Sequence, residues 1–292
     1  MMHPDHQLPP AGSARADVAV VVVLYHPGDD DLANVTRLTK WGVRVVAVVN
    51  AIDDARRAAM PATGAQVIAN PSNLGLAHAL NQGIGAAVAD GARYVLLLDQ
   101  DSRPTSDMLD ALLAAATAME AEGRSIACVA PVLHDRKSTG GANTAWDNGP
   151  FATSGTLLTR AGWEQVGPMW EPLFIDGIDH EWCFRARGRG METVLVRAAV
   201  MEHNLGDEGM NFLGRYRPVH RSPLRHYFIV RNTLWLARKG YIPLGWRASE
   251  VAKLGYRIAT YLLVSNDRSR TVGNITAALV DGVAQSRQRQ PI

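Results

Sequence analysis

Asp99 and Asp101 stand two residues apart where the apolar run Tyr94-Val95-Leu96-Leu97-Leu98 stops. A run of this kind, ending abruptly in polar residues, reads as a strand buried on both faces. Side chains two apart on an extended strand share a face, so the two carboxylates can aim at one point. Converging carboxylates repel unless positive charge lies between them. A hard divalent cation carrying a substrate diphosphate meets that need. In open α/β sheets, ligands bind at the carboxyl ends of the strands, where this pair would sit. The competing reading assigns one Asp to capping the helix that begins after Pro104 and leaves the other in solvent.

Four more clusters carry polar chemistry. Tyr25-His26-Pro27 ends one valine-rich run, and Asn50, with Asp53 and Asp54 just after it, ends a second. Tyr25 would pack near a base and Asn50 would offer it hydrogen bonds, or both are plain turn residues. Asn73 and Gly75 precede an alanine-rich stretch that contains Asn81. Small residues and free N–H groups at a helix start suit an anion, and an Asn cap on a packed helix explains the same residues. In Phe174-Ile175-Asp176-Gly177-Ile178-Asp179-His180-Glu181-Trp182-Cys183-Phe184-Arg185, three acids lie among large apolar side chains. Burial raises a carboxyl pKa and fits it to take a proton near neutral pH. Asp179 falls at a helix start, and Glu181 is one turn from Arg185, close enough to pair. His203 follows a strand in Met201-Glu202-His203-Asn204 and is a candidate metal ligand. Arg225, Arg231 and Asn232 lie on a basic amphipathic helix, placed to grip a diphosphate or to face anionic lipid.

The elements that must position these residues alternate. Apolar runs predict strands over 18–24, 43–49, 66–69, from 94 and over 125–132. Helical spacing predicts helices over 29–41, 55–60, 76–90 and 106–122. Such alternation argues for a parallel, doubly wound sheet. Beyond Pro131 the pattern changes. A polar, Gly-rich loop spans 137–150, strands are expected over 151–159 and 193–200, and helices over 161–166, 179–187 and from 222 onward.

With 292 residues, 47% hydrophobic and 20% charged, the chain has the balance of a globular protein with a real core. A net charge of +2 gives no argument for nucleic acid as a partner. Two cysteines, Cys128 and Cys183, far apart in sequence, fit a reducing compartment. No apolar run approaches the ~20 residues of a membrane span, so any membrane contact is expected to be peripheral. The first 16 residues lack the apolar centre of a signal peptide and are expected to form a disordered tail. A cytoplasmic location follows.

Taken in order, these motifs resemble glycosyltransferase family 2, and within it the bacterial rhamnosyltransferases. The resemblance rests on the Tyr25-His26-Pro27 start, Asn73-Leu74-Gly75 with Ala79 and Asn81, and Leu98-Asp99-Gln100-Asp101-Ser102. It continues through Phe174 to Arg185, His203 to Asp207, and Arg231-Asn232. It implies a glycosyltransferase-A fold, an α/β architecture with a mostly parallel Rossmann-like sheet flanked by helices and followed by C-terminal amphipathic helices. By the same resemblance, 17–221 forms the catalytic domain, with a nucleotide-sugar half at 17–132 and an acceptor half at 133–221, and 222–292 forms a helical region.

The resemblance further implies an inverting transfer of a sugar, with dTDP-L-rhamnose the expected donor, to a glycan or lipid-linked acceptor, assisted by Mg²⁺ or Mn²⁺. Asp101 resembles the metal-binding acid and His203 the metal-ligand histidine. Asp99 resembles the acid that contacts the ribose and supports the metal. Asp179 falls where the family places its catalytic base, with Asp176 and Glu181 as neighbours that hold acceptor or tune that base. Tyr25, Asn50, Asn73, Gly75, Asn81, Gln100 and Arg231 fall to the nucleotide-sugar. The family usually has an Asp followed by Asn-x-Ser after strand two, where this chain has Val48-Val49-Asn50-Ala51, so Asn50 or Asp53 takes the base-reading position. A UDP-sugar donor, or a non-catalytic nucleotide-sugar-binding protein, is the alternative. A nucleotidyltransferase or NAD enzyme would share the sheet but bring a Gly-rich phosphate loop that is missing here.

Overall fold

A computed structural model describes residues 15–51, 58, 60–135, 150–203, 210–212, 215–217, 222–265 and 267–284. The expected helix at 55–60, the loop at 137–150 and most of the N-terminal tail lie largely outside these residues. Arg15 lies inside them: it opens the 3-10 turn Arg15–Asp17, and its Nε bonds Asp110 Oδ1 at 2.8 Å.

Seven strands form one sheet. They are β1 (Val18–Leu24), β2 (Arg44–Val49), β3 (Gln66–Ala69), β4 (Tyr94–Asp99), β5 (Ile126–Asp135), β6 (Leu157–Thr159) and β7 (Glu192–His203), in the order β3-β2-β1-β4-β6-β5-β7. Strands β3, β2, β1 and β4 run parallel, and β5 pairs parallel with β7. The short β6 runs antiparallel between β4 and β5. The expectation of a mostly parallel sheet holds, with one inserted antiparallel strand. The expected strand at 151–159 is reduced to its last three residues because the chain first turns at 153–155 to meet the end of β4.

Every residue of β1 is buried. Alternate side chains feed opposite layers. Ala19, Val21 and Val23 join Val46, Val48, Val95 and Leu97 on one face, under α2 (Leu76–Ala89) and α5 (Ile178–Gly188). Val18, Val20, Val22 and Leu24 join Leu96 and Leu98 on the other, under α1 (Asp29–Thr39) and α3 (Ser106–Ala121). The short helix α4 (Arg160–Val166) links β6 to the acidic segment.

The C-terminal helices are α6 (Pro223–Leu236), α7 (Leu244–Val264) and α8 (Arg268–Ala284). Buried Asp281 ties α8 to α6, accepting from Tyr227 Oη at 2.7 Å and offering its carbonyl to Trp235 Nε1 at 3.1 Å. Tyr227, Phe228 and Val230 of α6 form a small core against which Phe174 and Ile175 pack. No helix among the described residues is long and apolar enough to cross a membrane.

Candidate active site

Parallel pairing fixes one edge. The register sets Leu24 beside Val49, Val49 beside Ala69, and Val23 beside Asp99. Tyr25, Asn50, Asn70 and Gln100 therefore leave the sheet side by side at its carboxyl end. Tyr25 N donates to Gln100 Oε1 at 2.7 Å, and Tyr25 is 50% exposed, its ring edge-on to His26.

Strand alternation does not carry Asp101 beside Asp99. Strand β4 ends at Asp99, and a turn closed by Ser102 N to Asp99 O at 3.1 Å takes over. Asp99 is half-buried, its N–H donating to Ser154 Oγ at 3.2 Å, while Asp101 is exposed. Ser102 bonds Ser154 through their hydroxyls and passes its carbonyl to Asn34 Nδ2 at 2.9 Å. The cap of α3 is Thr105, whose side chain accepts from Met108 N at 3.2 Å, so neither Asp serves as that cap.

Asn50 is buried and fully engaged inside the protein. Its Nδ2 donates to Gly75 O at 2.9 Å and Asn73 Oδ1 at 3.2 Å, and its Oδ1 accepts from Asn70 Nδ2 at 2.9 Å. It holds the 73–75 loop; Asp53 lies outside the described residues. Gly75 has φ +93°, and a Cβ there would come within 2.6 Å of Phe174. This glycine is required both by its conformation and by the close approach of Phe174.

Two of the N–H groups expected to be free at the start of α2 are taken. Leu76 N donates to Phe174 O at 2.7 Å and Ala77 N at 3.3 Å. Asn81 is likewise engaged, bonding Met169 O at 3.0 Å and Glu171 Oε1 at 2.9 Å and accepting from Met169 N at 2.8 Å. It fastens α2 to the segment leading into the acidic cluster rather than facing a ligand.

That segment is held from below by α6. Arg231, 1% exposed, spends its donors on Pro172 O at 2.6 Å and Asn232 Oδ1 at 2.8 Å. Its guanidinium lies 4.2 Å from the Trp235 ring centroid and 4.8 Å from that of Phe228. Burial pulls its pKa below the usual arginine value. The expectation that Arg231 grips diphosphate is overturned: a guanidinium this deep, with carbonyl partners, positions a loop. Asn232 Nδ2 reaches Leu173 O at 2.9 Å, Ile175 O at 2.7 Å and Asp176 O at 2.8 Å. Phe174 stacks on Phe228 at 4.7 Å. These contacts over-determine a backbone in which Phe174 and Asp176 both have φ +65°, a conformation costing about 1–3 kcal/mol per residue.

Asp176 accepts Arg225 Nη2 at 3.0 Å and Nε at 3.1 Å, a bidentate pair that keeps it on the helix side of the loop. Glu181 is 2% exposed and paired with Arg185 at 2.8 Å and 2.9 Å, with Tyr241 Oη as a further donor. Arg185 also binds Val166 O at 2.6 Å and Pro168 O at 2.7 Å. Glu181 thus anchors α5 and is closed to any acceptor. The Glu181–Arg185 pairing matches its one-turn spacing.

Asp179 differs from both neighbours. Its Oδ1 accepts from His180 N at 2.8 Å and pairs with His180 Nδ1 at 2.8 Å. Burial pushes its pKa up, but the charge and hydrogen bonds of His180 prevail and hold it below the ordinary carboxylate value. The raised pKa expected from burial is therefore not found. His180 is displaced the other way: burial lowers it, and the Asp179 charge and hydrogen bond raise it above the usual imidazole value.

A cavity of about 720 Å³ has Ser154 and His180 in its wall, beside residues of β5, α5 and α7. Ser154 holds the backbone of Asp99 and His180 holds the carboxylate of Asp179, so one hollow touches the supports of both acids. Ser154 and His180 are additions that the acid motifs alone do not point to, although His180 directly follows Asp179. Among the described residues no three of His, Cys, Asp and Glu stand close enough to hold a metal. His203 ends β7, and its side chain lies outside what the structure describes. Asp101, an exposed carboxylate at the strand edge, has the oxygen chemistry that a hard cation takes.

Comparison with known proteins bears on this geometry. Residues 33–158 match the model of glycosyl transferase family 2. The chain is 29% identical over 277 residues, 88% of its length and 91% of the relative's, to a dTDP-rhamnosyl transferase, RfbF, of Shigella flexneri. The crystal structure of S. aureus TarS aligns with TM-score 0.56 at 12% identity, covering 93% of this chain and 49% of that one. TarS 1-349 in complex with UDP aligns with TM-score 0.51 at 11% identity over 94% of both chains. The resemblance to family 2 and its bacterial rhamnosyltransferases is thereby shown, with a glycosyltransferase-A-like fold, and the matches support glycosyltransferase activity.

Proposed function

We propose that this family 2 glycosyltransferase moves L-rhamnose from dTDP-L-rhamnose to a hydroxyl of a cell-surface glycan or a lipid-linked acceptor, with inversion at the anomeric carbon. The observation that carries the reading is the carboxylate of Asp179. It is kept ionised beside His180 in the first turn of α5, just after the loop that is bonded through Phe174 to the helix starting at the sheet edge. The choice of donor is supported by the name of the Shigella relative, a dTDP-rhamnosyl transferase.

In the reaction the acceptor hydroxyl passes its proton to Asp179 as its oxygen bonds to the anomeric carbon. The bond from that carbon to the diphosphate breaks on the opposite face, and dTDP leaves with the electron pair. Tyr25, with its exposed ring, Asn73 and Gln100 line the edge on which the nucleotide would lie. Mg²⁺ or Mn²⁺, held by Asp101 with Asp99 and His203, would neutralise charge on the leaving diphosphate. Asp101→Ala is expected to abolish the metal-dependent part of the thermal shift that dTDP produces and to spare the metal-independent part. Equal metal dependence in the variant would remove Asp101 from the metal site. The activity itself is tested by incubating the protein with Mn²⁺ and dTDP-rhamnose or UDP-sugars and measuring released nucleoside diphosphate. No release from any donor would reject the reading.

The Asp179–His180 pair predicts a pH dependence. As pH falls through the raised His180 value, the imidazolium forms and weakens Asp179 as a base, so the rate falls on the acid side. His180→Gln removes that charge and is expected to move the acid limb of kcat to lower pH; an unmoved limb would exclude the coupling. Stability follows the same linkage. The His180 contribution is full below the unfolded imidazole value and is lost as pH rises through its raised folded value. The Asp179 contribution is full above the unfolded carboxylate value and is lost as pH falls through its lowered folded value. The pair therefore stabilises most between the two.

Contact with the cytoplasmic face of the inner membrane belongs to the same reading. It is supported by the apolar side chains that α7 and α8 leave in solvent, among them Leu244 at 72% and Leu263 at 71% exposure.

A further inference from the structure

We infer that Ser102 and Ser154 are positioning residues for the cation: their joined hydroxyls clamp the turn that presents Asp101, and so set how tightly the divalent ion is held. The inference rests on the reading of Asp101 as a metal ligand and adds to it what fixes that ligand in place.

The Asp101 side chain is exposed, so the turn beneath it decides where its carboxylate stands. That turn runs from Asp99 to Ser102 and is closed by Ser102 N to Asp99 O at 3.1 Å. Ser154 reaches both of its ends. Its Oγ accepts from Asp99 N at 3.2 Å and is bonded to the Ser102 hydroxyl. A hydroxyl carries one hydrogen and two lone pairs, so both bonds form at once. Behind Ser102, Asn34 Nδ2 of α1 donates to the Ser102 carbonyl at 2.9 Å, and Asn34 Oδ1 accepts in turn from Arg37 Nη2 at 2.9 Å. Ser102, Ser154 and Asn34 are 1%, 2% and 3% exposed, so water is no ready substitute for a partner that is removed.

Ser154 is itself held to the sheet. Gly155 N donates to Leu97 O at 2.8 Å and Leu97 N to Thr156 O at 2.9 Å, which ties the segment to β4 two residues before Asp99. Thr156 Oγ1 donates to Ala152 O at 2.7 Å across the turn. Gly155 has φ +87°, and a Cβ there would come within 2.9 Å of Met201 and of Pro131, so the chain passes at this point only as glycine. The clamp therefore has a rigid base. A buried polar network with its bonds made specifies one geometry. Geometry is what a cation site needs: its ligand distances tolerate about 0.2 Å, and a carboxylate that must first be ordered binds more weakly.

The test titrates the full chain with Mn²⁺ at saturating dTDP, with free Mn²⁺ read by electron paramagnetic resonance. Ser154→Ala is expected to weaken Mn²⁺ binding about tenfold, the scale of a lost partner behind a metal ligand. The thermal shift that dTDP gives without metal should be retained, which also reports that the variant folds. Ser102→Ala should weaken Mn²⁺ binding as well, and the double variant should bind no more weakly than Ser154→Ala, because the same pair is broken each time. Thr159→Ala serves as the control. Its hydroxyl accepts from Gly162 N at 2.9 Å and caps α4, beside Tyr94 at the far end of β4. That variant should melt at a lower temperature and hold Mn²⁺ as tightly as the unaltered protein. Unchanged Mn²⁺ binding in Ser154→Ala, losses that multiply in the double variant, or an equal loss in Thr159→Ala would each overturn the clamp. An unaltered protein that binds no Mn²⁺ would overturn the metal reading itself, and the clamp with it.

Discussion

Asp179→Asn is expected to cut transfer by about 10²–10⁴-fold while leaving the dTDP thermal shift intact, the scale of a lost general base. The substitution keeps the volume and one acceptor oxygen, so His180 N retains a partner. It removes the negative charge, and with it both the basicity toward the acceptor hydroxyl and the support for a charged His180. The same exchange at Asp176 or Glu181 reads differently. Asp176 faces Arg225 and Glu181 faces Arg185, so Asn and Gln there weaken ion pairs and lower stability without removing a base. Turnover by Asp179→Asn near the unaltered rate would withdraw the assignment.

The second large effect falls on a residue that touches no substrate. Arg231→Met is expected to destabilise the fold by about 3 kcal/mol, from lost charged hydrogen bonds and ring contacts. For a chain of this size that lowers the melting temperature by roughly 5–10 °C. The physical source is the loop it braces. Pro172 loses its guanidinium donor, Asn232 loses the partner that orients it, and the positive φ of Phe174 and Asp176 is held by fewer contacts. Because that loop leads into Asp179, kcat should fall along with stability, and measuring the rate well below the melting point separates the two. A variant with unchanged melting temperature would show that the buried contacts are not what holds the loop.

The parallel half of the sheet was legible because its signals are local. Val18–Leu24 and Gln66–Ala69 are strands at the bounds that their apolar runs predict, and Leu76–Ala89 is one residue shorter than its spacing suggests. The acids could be found, but their employment could not. Asn50, Asn81 and Arg231 are polar residues at the right places in the order of motifs, and each proves to be bonded to backbone carbonyls from a distant segment. Sequence spacing does not reveal such partners, since Arg231 and Pro172 are 59 positions apart. The raised pKa expected for Asp179 failed for a related reason. Its apolar neighbours predict burial, and the effect of His180, the very next residue, outweighs it. The turn at Gln100–Asp101 shows where strand periodicity stops being a guide. Alternation applies only while the backbone stays extended, and the Ser102 N to Asp99 O bond ends it.

A lone carboxylate base acting on the acceptor hydroxyl permits one displacement at the anomeric carbon and no covalent sugar on the protein. The anomeric configuration of the product is therefore the most direct test. Transfer from dTDP-rhamnose to a glycoside, followed by NMR of the new linkage, is predicted to give the configuration opposite to that of the donor. A product that retains the donor's configuration would contradict the account.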